Sequence, residues 1–253
     1  MLFVVIAMTI ATVAVAAIYL APRLREERIV FDVVPDRPAP FGYKMAWLAV
    51  RARDPVEVAA ALALEAPVPA NWASGLGAVY DARLGEKRVF VSPAVNGWVF
   101  VVGLALPAPI GRRFSDKSAE LLIRLGQRFA EVQYFSSHPL IDHFAWARVL
   151  DGRLARAFAI GDEGVIWNKG RPTKEEKGLG LKLFELRGVR GRTGDAGGEI
   201  LIYPTEQHIM QLASKWSIDP TSLGMVHASH GVGMIAEAPA AWRPELTARK
   251  AAA

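Results

Sequence analysis

The stretch YFSSHPLIDHFAWARVLDGRLARAF, Tyr134 to Phe158, decides the fold. Asp151 and Gly152 are the kind of pair that closes a two-residue hairpin turn, because such a turn needs backbone conformations that Asp and Gly tolerate. The runs on either side alternate large and small side chains. An uninterrupted pairing sets Leu150 against Arg153, Arg148 against Ala155, Trp146 against Ala157 and Phe144 against Ala159. On the other face Val149 meets Leu154, Ala147 meets Arg156, Ala145 meets Phe158 and His143 meets Ile160. Nearly every large side chain then stands opposite an alanine, which fits a strand pair with apolar material on both faces.

Working outward, Tyr43 to Arg51 is rich in aromatic and branched residues and reads as a strand. Asp54, Pro55 and Glu57 then supply a cap, a first-turn proline and an N-terminal acid, which predicts a helix running through VAAALALE to Pro67. Lys87 to Ser92 and Trp98 to Leu106 form a second predicted hairpin around Asn96 and Gly97. Asn71 to Ala82 is expected to lead into a further strand. Ser115 and Thr205 open two more helices, with Leu121, Leu122, Leu125 and Phe129 on one face of the first and Ile209, Leu212, Ala213 and Trp216 on one face of the second. Asp219 and Pro220 end the latter or start a short successor. Lys169 to Gly198, rich in glycine and charge, is expected to be a loop. Strands in hairpin-like runs, with no regular alternation with helices, predict an α+β domain with a mostly antiparallel sheet and about three helices.

The first residues point elsewhere. Leu2 to Leu20 carries no charge, and about twenty helical residues span a bilayer core of about 30 Å. Arg23, Arg25 and Arg28 follow at once, and positive flanks stay in the cytoplasm. The expectation is a transmembrane anchor over residues 1–21, with the lipid bilayer met through 2–20. A basic flank and proline-rich linker follow over 22–40, a globular domain over 41–239 and a disordered tail over 240–253. The location expected is the inner membrane, single-pass, with the domain cytoplasmic. The alternative is export after signal cleavage, since Val15 and Ala17 are small residues of the kind that precede a cut.

Absence of cysteine excludes disulfides and thiolate metal sites. The net charge of +5 comes from 30 dispersed basic residues, and without a basic block no nucleic-acid partner is expected. No phosphate-loop lysine motif, full dinucleotide glycine fingerprint or nucleophile elbow occurs, so Ser74, Ser92, Ser136 and Ser137 lack the context of a nucleophile. No cofactor is expected.

The candidate ligand-binding residues are His138, Asp142, His143, Arg148 and Arg156. The histidines and Asp142 are potential acid, base or metal groups, although their spacing fits neither one helical face nor one strand face cleanly. Arg148 and Arg156 lie among apolar residues and need a partner if buried; Asp142, Asp162 and Glu163 are the nearby candidates, or an acidic ligand. His227 and His230 give two possible metal ligands that Glu237 would complete only if the chain turned back. Glu175 and Glu176 read as a solvated face of the charged loop.

The blocks NWASGLG, VFVSPAVNGWVFVVGLALP, QYFSSHPLIDHFAWARVLDGRLARAF and KWSIDPTSL, in that order, resemble a set of uncharacterised bacterial proteins. The resemblance covers residues 43–225 and implies a bacterial origin but no activity. The residues themselves point to a membrane-anchored binding protein with a protein partner, of inhibitor, immunity or scaffold type and without catalysis. The rival expectation is a membrane-tethered hydrolase with a site built on His138, His143, His227 or His230.

Overall fold

The structure is a computed structural model that describes residues 29–109, 115–162, 164–181, 183, 186 and 203–242, together with Met8. Two units are distinguished, Met1–Val30 and Phe31–Ala253, and the second holds the sheet. The expected membrane span, residues 2–20, lies outside the described residues apart from Met8. Among the described residues no helix is long and apolar enough to cross a membrane. The expectations of a transmembrane helix, of a single-pass inner-membrane protein and of a cytoplasmic-facing domain are corrected accordingly. They rested on an uncharged run and its arginine flanks, of which only Met8 is among the described residues.

Among the described residues nine antiparallel strands make one sheet: β1 (Ala46–Val50), β2 (Glu65–Asn71), β3 (Arg88–Val91), β4 (Val99–Val102), β5 (Glu131–His138), β6 (His143–Leu150), β7 (Arg153–Gly161), β8 (Gly164–Lys169) and β9 (Val232–Glu237), in the order β2-β9-β3-β4-β1-β5-β6-β7-β8. Among the described residues five α-helices accompany it, not about three: α1 (Pro55–Ala61), α2 (Trp72–Tyr80), α3 (Ser115–Gly126), α4 (Lys174–Gly178) and α5 (Glu206–Trp216). The arrangement is consistent with the α+β class.

Three helices and one strand differ from expectation for local reasons. Asn71 does not lead into a strand; its side chain accepts from the Ser74 N–H at 2.9 Å and caps α2. The carboxylate of Asp36 adds to that cap by accepting from the N–H groups of Trp72 and Ala73, at 2.8 and 2.9 Å. The helix capped by Asp54 stops at Ala61, where Ala63 takes φ 53°, so residues predicted helical enter β2 instead. Thr173 and Glu176 form a capping box that makes α4 inside the expected loop.

The hairpin of β6 and β7 is present, but its register is not the uninterrupted one. Leu150 pairs with Arg153 and Val149 with Leu154; Arg148 then pairs with Arg156, leaving Ala155 as the extra residue of a bulge. Beyond it Trp146 faces Phe158, Phe144 faces Ile160, and Ala145 and Ala147 face Ala159 and Ala157. One inserted residue exchanges the two faces of the rest of β7. The exchange sorts β6 and β7 by size, aromatics on one face and alanines on the other.

One face carries a row, Ile235, Phe90, Val102, Trp47, Phe135, Trp146 and Phe158, in which each residue is the registered partner of the next. These side chains pack with α2 and α5, and Trp47 stacks on Phe135 with centroids 5.1 Å apart. The other face offers Ala145, Ala147, Ala157 and Ala159 to residues of α1 and α3, among them Leu121, Leu122 and Leu125. Small residues let a helix approach closely: a Cβ on Gly126 would sit 2.3 Å from Val149 Cγ1. Large aromatics fill the thicker side, where each fully buried aromatic is worth about 1.5–3 kcal/mol of transfer free energy.

Candidate functional site

The five candidate residues do not meet, because the sheet separates them. Arg148 and Arg156 stand on the aromatic face, in line with Trp146 and Phe158. His143 stands two residues before Ala145, on the alanine face, and is registered with His138 across the β5–β6 pair. Asp142 caps the 3-10 turn Pro139–Ile141 that joins those strands, with φ 46°, and its carbonyl accepts from the Tyr203 hydroxyl at 3.3 Å.

Both arginines are partnered, by acids other than those expected. Nε of Arg156 donates to both oxygens of Glu176, at 2.7 and 2.9 Å. Its Nη1 donates to Asn168 Oδ1 and to the carbonyls of Ala157 and Lys169, at 2.8, 2.8 and 2.9 Å. Glu176 also accepts from Trp146 Nε1 at 2.8 Å and from the Thr173 N–H at 2.6 Å. The carboxylate read as solvated is therefore 0% exposed and fully engaged. Such a pair needs these extra donors, since burying two charges costs several kcal/mol per ion.

Arg148 donates through Nε to Glu131 at 2.7 Å and lies over the Trp216 ring at 5.4 Å. Gln133, its registered neighbour, donates to Glu131 at 2.8 Å and to the Trp216 carbonyl at 2.9 Å. Glu131, Gln133, Arg148, Arg156 and Glu176 thus form a polar seam along one end of the aromatic face, and its charges balance. Sequence reading missed Glu131 and Glu176. The spacing of Thr173 and Glu176 is a capping-box pattern that marks Glu176 as structural, but nothing local says that it reaches β7.

On the alanine face His143 is 1% exposed, and its Nε2 donates to the Pro109 carbonyl at 3.3 Å. Burial first, and the neighbouring His138 in addition, hold its imidazole neutral and lower its pKa to about 4. Ser137, buried beside it in sequence but pointing to the other face, donates its hydroxyl to Glu206 at 2.7 Å. That carboxylate also accepts from the Lys44 N–H at 2.9 Å. The serine proton is committed to a carboxylate that anchors α5, and no histidine bonds Ser137 among the described residues.

His227 and His230 precede β9, at the opposite end of the strands from His138 and His143. Glu237 closes β9 at the far end and pairs with Arg88 at 3.5 Å, so it does not complete a site with them. Among the described residues no three metal-ligating side chains stand together.

Fold and site together define an α+β protein built on one broad antiparallel sheet, whose buried charges serve its own packing. Comparison with known protein families, curated proteins and solved structures finds no match.

Proposed function

We propose that this chain is a binding protein that engages a protein partner, as an inhibitor, immunity component or scaffold does. The observation that supports it is the turn Pro139–Ile141 between β5 and β6, which holds Leu140 at 82% and Ile141 at 43% exposure. Two adjacent apolar side chains are fixed outward at the tip of the sheet's longest strand pairs, and ordering them costs little on binding because the hairpin has already fixed their backbone. A largely exposed leucine on an ordered turn suits the centre of an interface, where an anchor fills a partner's pocket.

The rival reading, a hydrolase, has weaker support. Its histidines sit at opposite ends of the strands, and the buried His143 gives its Nε2 proton to a backbone carbonyl. Affinity capture with the full chain as bait tests the proposal. A partner retained at stoichiometric yield and lost on Leu140→Asp, with the melting temperature unchanged, supports it. No stoichiometric partner, or one retained equally by Leu140→Asp, overturns it. Hydrolysis of ester or peptide substrates that is abolished by His143→Gln would favour the rival.

A further inference from the structure

A cavity of about 410 Å³ opens ahead of β9, lined by Arg37, Met225, Val226, His227, Ser229 and His230 among others. Its walls come from two distant parts of the chain. Asp36 and Gly231 form an antiparallel bridge, with the Gly231 N–H donating to the Asp36 carbonyl at 3.1 Å. Gly231 is also pressed on Pro93, close enough that a Cβ would lie 2.8 Å from the proline ring. The bridge sets Arg37 beside the loop of the two histidines, so the cavity is preformed.

The polar groups here differ from those of the seam. Arg88, Arg148 and Arg156 each have a carboxylate partner. Arg37 has no ion-pair or hydrogen-bond partner among the described residues, and the same holds for His227, Ser229 and His230. The nearest acid in sequence, Asp36, is unavailable to Arg37 because both its oxygens accept from the N-terminus of α2. No carboxylate lines the cavity. Exposed guanidinium, imidazole and hydroxyl groups that line one concavity without an acid form a donor set for an oxyanion, and the guanidinium fork matches phosphate in a two-bond geometry.

The apolar side of the cavity narrows the class. Met225 is 79% exposed and stands with Val226 and Ala228 on the same lining. A thioether side chain adapts to varied apolar and aromatic shapes. We infer that the cavity of Arg37, His227, Ser229 and His230 is a binding site for a small phosphate monoester, whose phosphate meets these four residues and whose apolar group lies on Met225. This site stands apart from the partner reading, since it lies at the other end of the strands from Leu140.

Titration calorimetry of the full chain with phenyl phosphate, inorganic phosphate and phenol tests it. Phenyl phosphate is expected to bind with a Kd of about 1 mM or tighter, inorganic phosphate more weakly, and phenol not at all. Arg37→Ala and the double variant His227→Gln with His230→Gln should each weaken phenyl phosphate by about tenfold with an unchanged melting temperature, as expected for exposed side chains. Absence of phenyl phosphate binding, binding undiminished in Arg37→Ala, or uptake of nickel ion by the histidines with no uptake of phosphate would each overturn the assignment.

Discussion

Arg156 and Glu176 face each other at 2.7 Å with 1% and 0% side-chain exposure, one from the middle of β7 and the other from the first turn of α4. Their contact ties a segment that sequence reading left as loop to β7, the strand next to the sheet edge. Removing one partner leaves a buried charge unmatched. Glu176→Ala is therefore expected to lower unfolding free energy by about 3–5 kcal/mol, measured by urea denaturation at neutral pH. Joining Arg156→Met to Glu176→Leu should recover most of that loss, because neither charge then remains. A Glu176→Ala protein as stable as the parent would show that α4 does not rest on this pair.

Two glycines of α2 predict opposite outcomes for the same substitution. A Cβ on Gly75 would meet the Phe90 ring at 2.2 Å, within the aromatic row. Gly75→Ala must displace Phe90 and should cost about 1–3 kcal/mol. On the same helix Gly77 is exposed and has nothing within 4 Å of its Cβ position. There alanine only reduces the freedom of the unfolded chain, and Gly77→Ala should add about 0.5–1 kcal/mol. Thermal melts of the two variants check both signs at once, and a shift of both in one direction would contradict the packing of α2 on β3.

His143 makes stability depend on acid. Its folded pKa of about 4 lies below the ordinary histidine value of 6.5, so between those values the unfolded chain binds the proton and the folded one does not. Its contribution is complete above about pH 6.5, is lost as pH falls to about 4, and amounts to about 3 kcal/mol at most. His208, also lowered by burial, acts in the same direction, so the comparison must be with His143→Gln. Urea midpoints of the two proteins should converge as pH drops through that window. Parallel curves would mean that His143 is not held neutral.

The local physics was legible in the sequence. Asp151 and Gly152 closed the β6–β7 hairpin at φ 46° and 75°, Asn96 and Gly97 closed the β3–β4 hairpin at 50° and 80°, and Asp54 and Thr205 capped the helices they announced. Each of these is decided by neighbours a few residues away, through turn conformation or an orphan N–H. The bulge at Ala155 was not legible, because an uninterrupted register satisfies the hairpin just as well when only two strands are considered. It is chosen by what lies above and below them: α3 needs a floor of alanines, the aromatic row needs a continuous partner from β5, and only the shifted register puts the alanines of β6 and β7 together on one face and their aromatics on the other. The same shift places Arg156 beside Arg148 and within reach of Glu176. Sequence thus determined the turns, the caps and the presence of charges that had to be matched; tertiary packing decided the register, the acids that match them, and the separation of the candidate histidines and arginines onto two faces of one sheet, with Asp142 in the turn between β5 and β6.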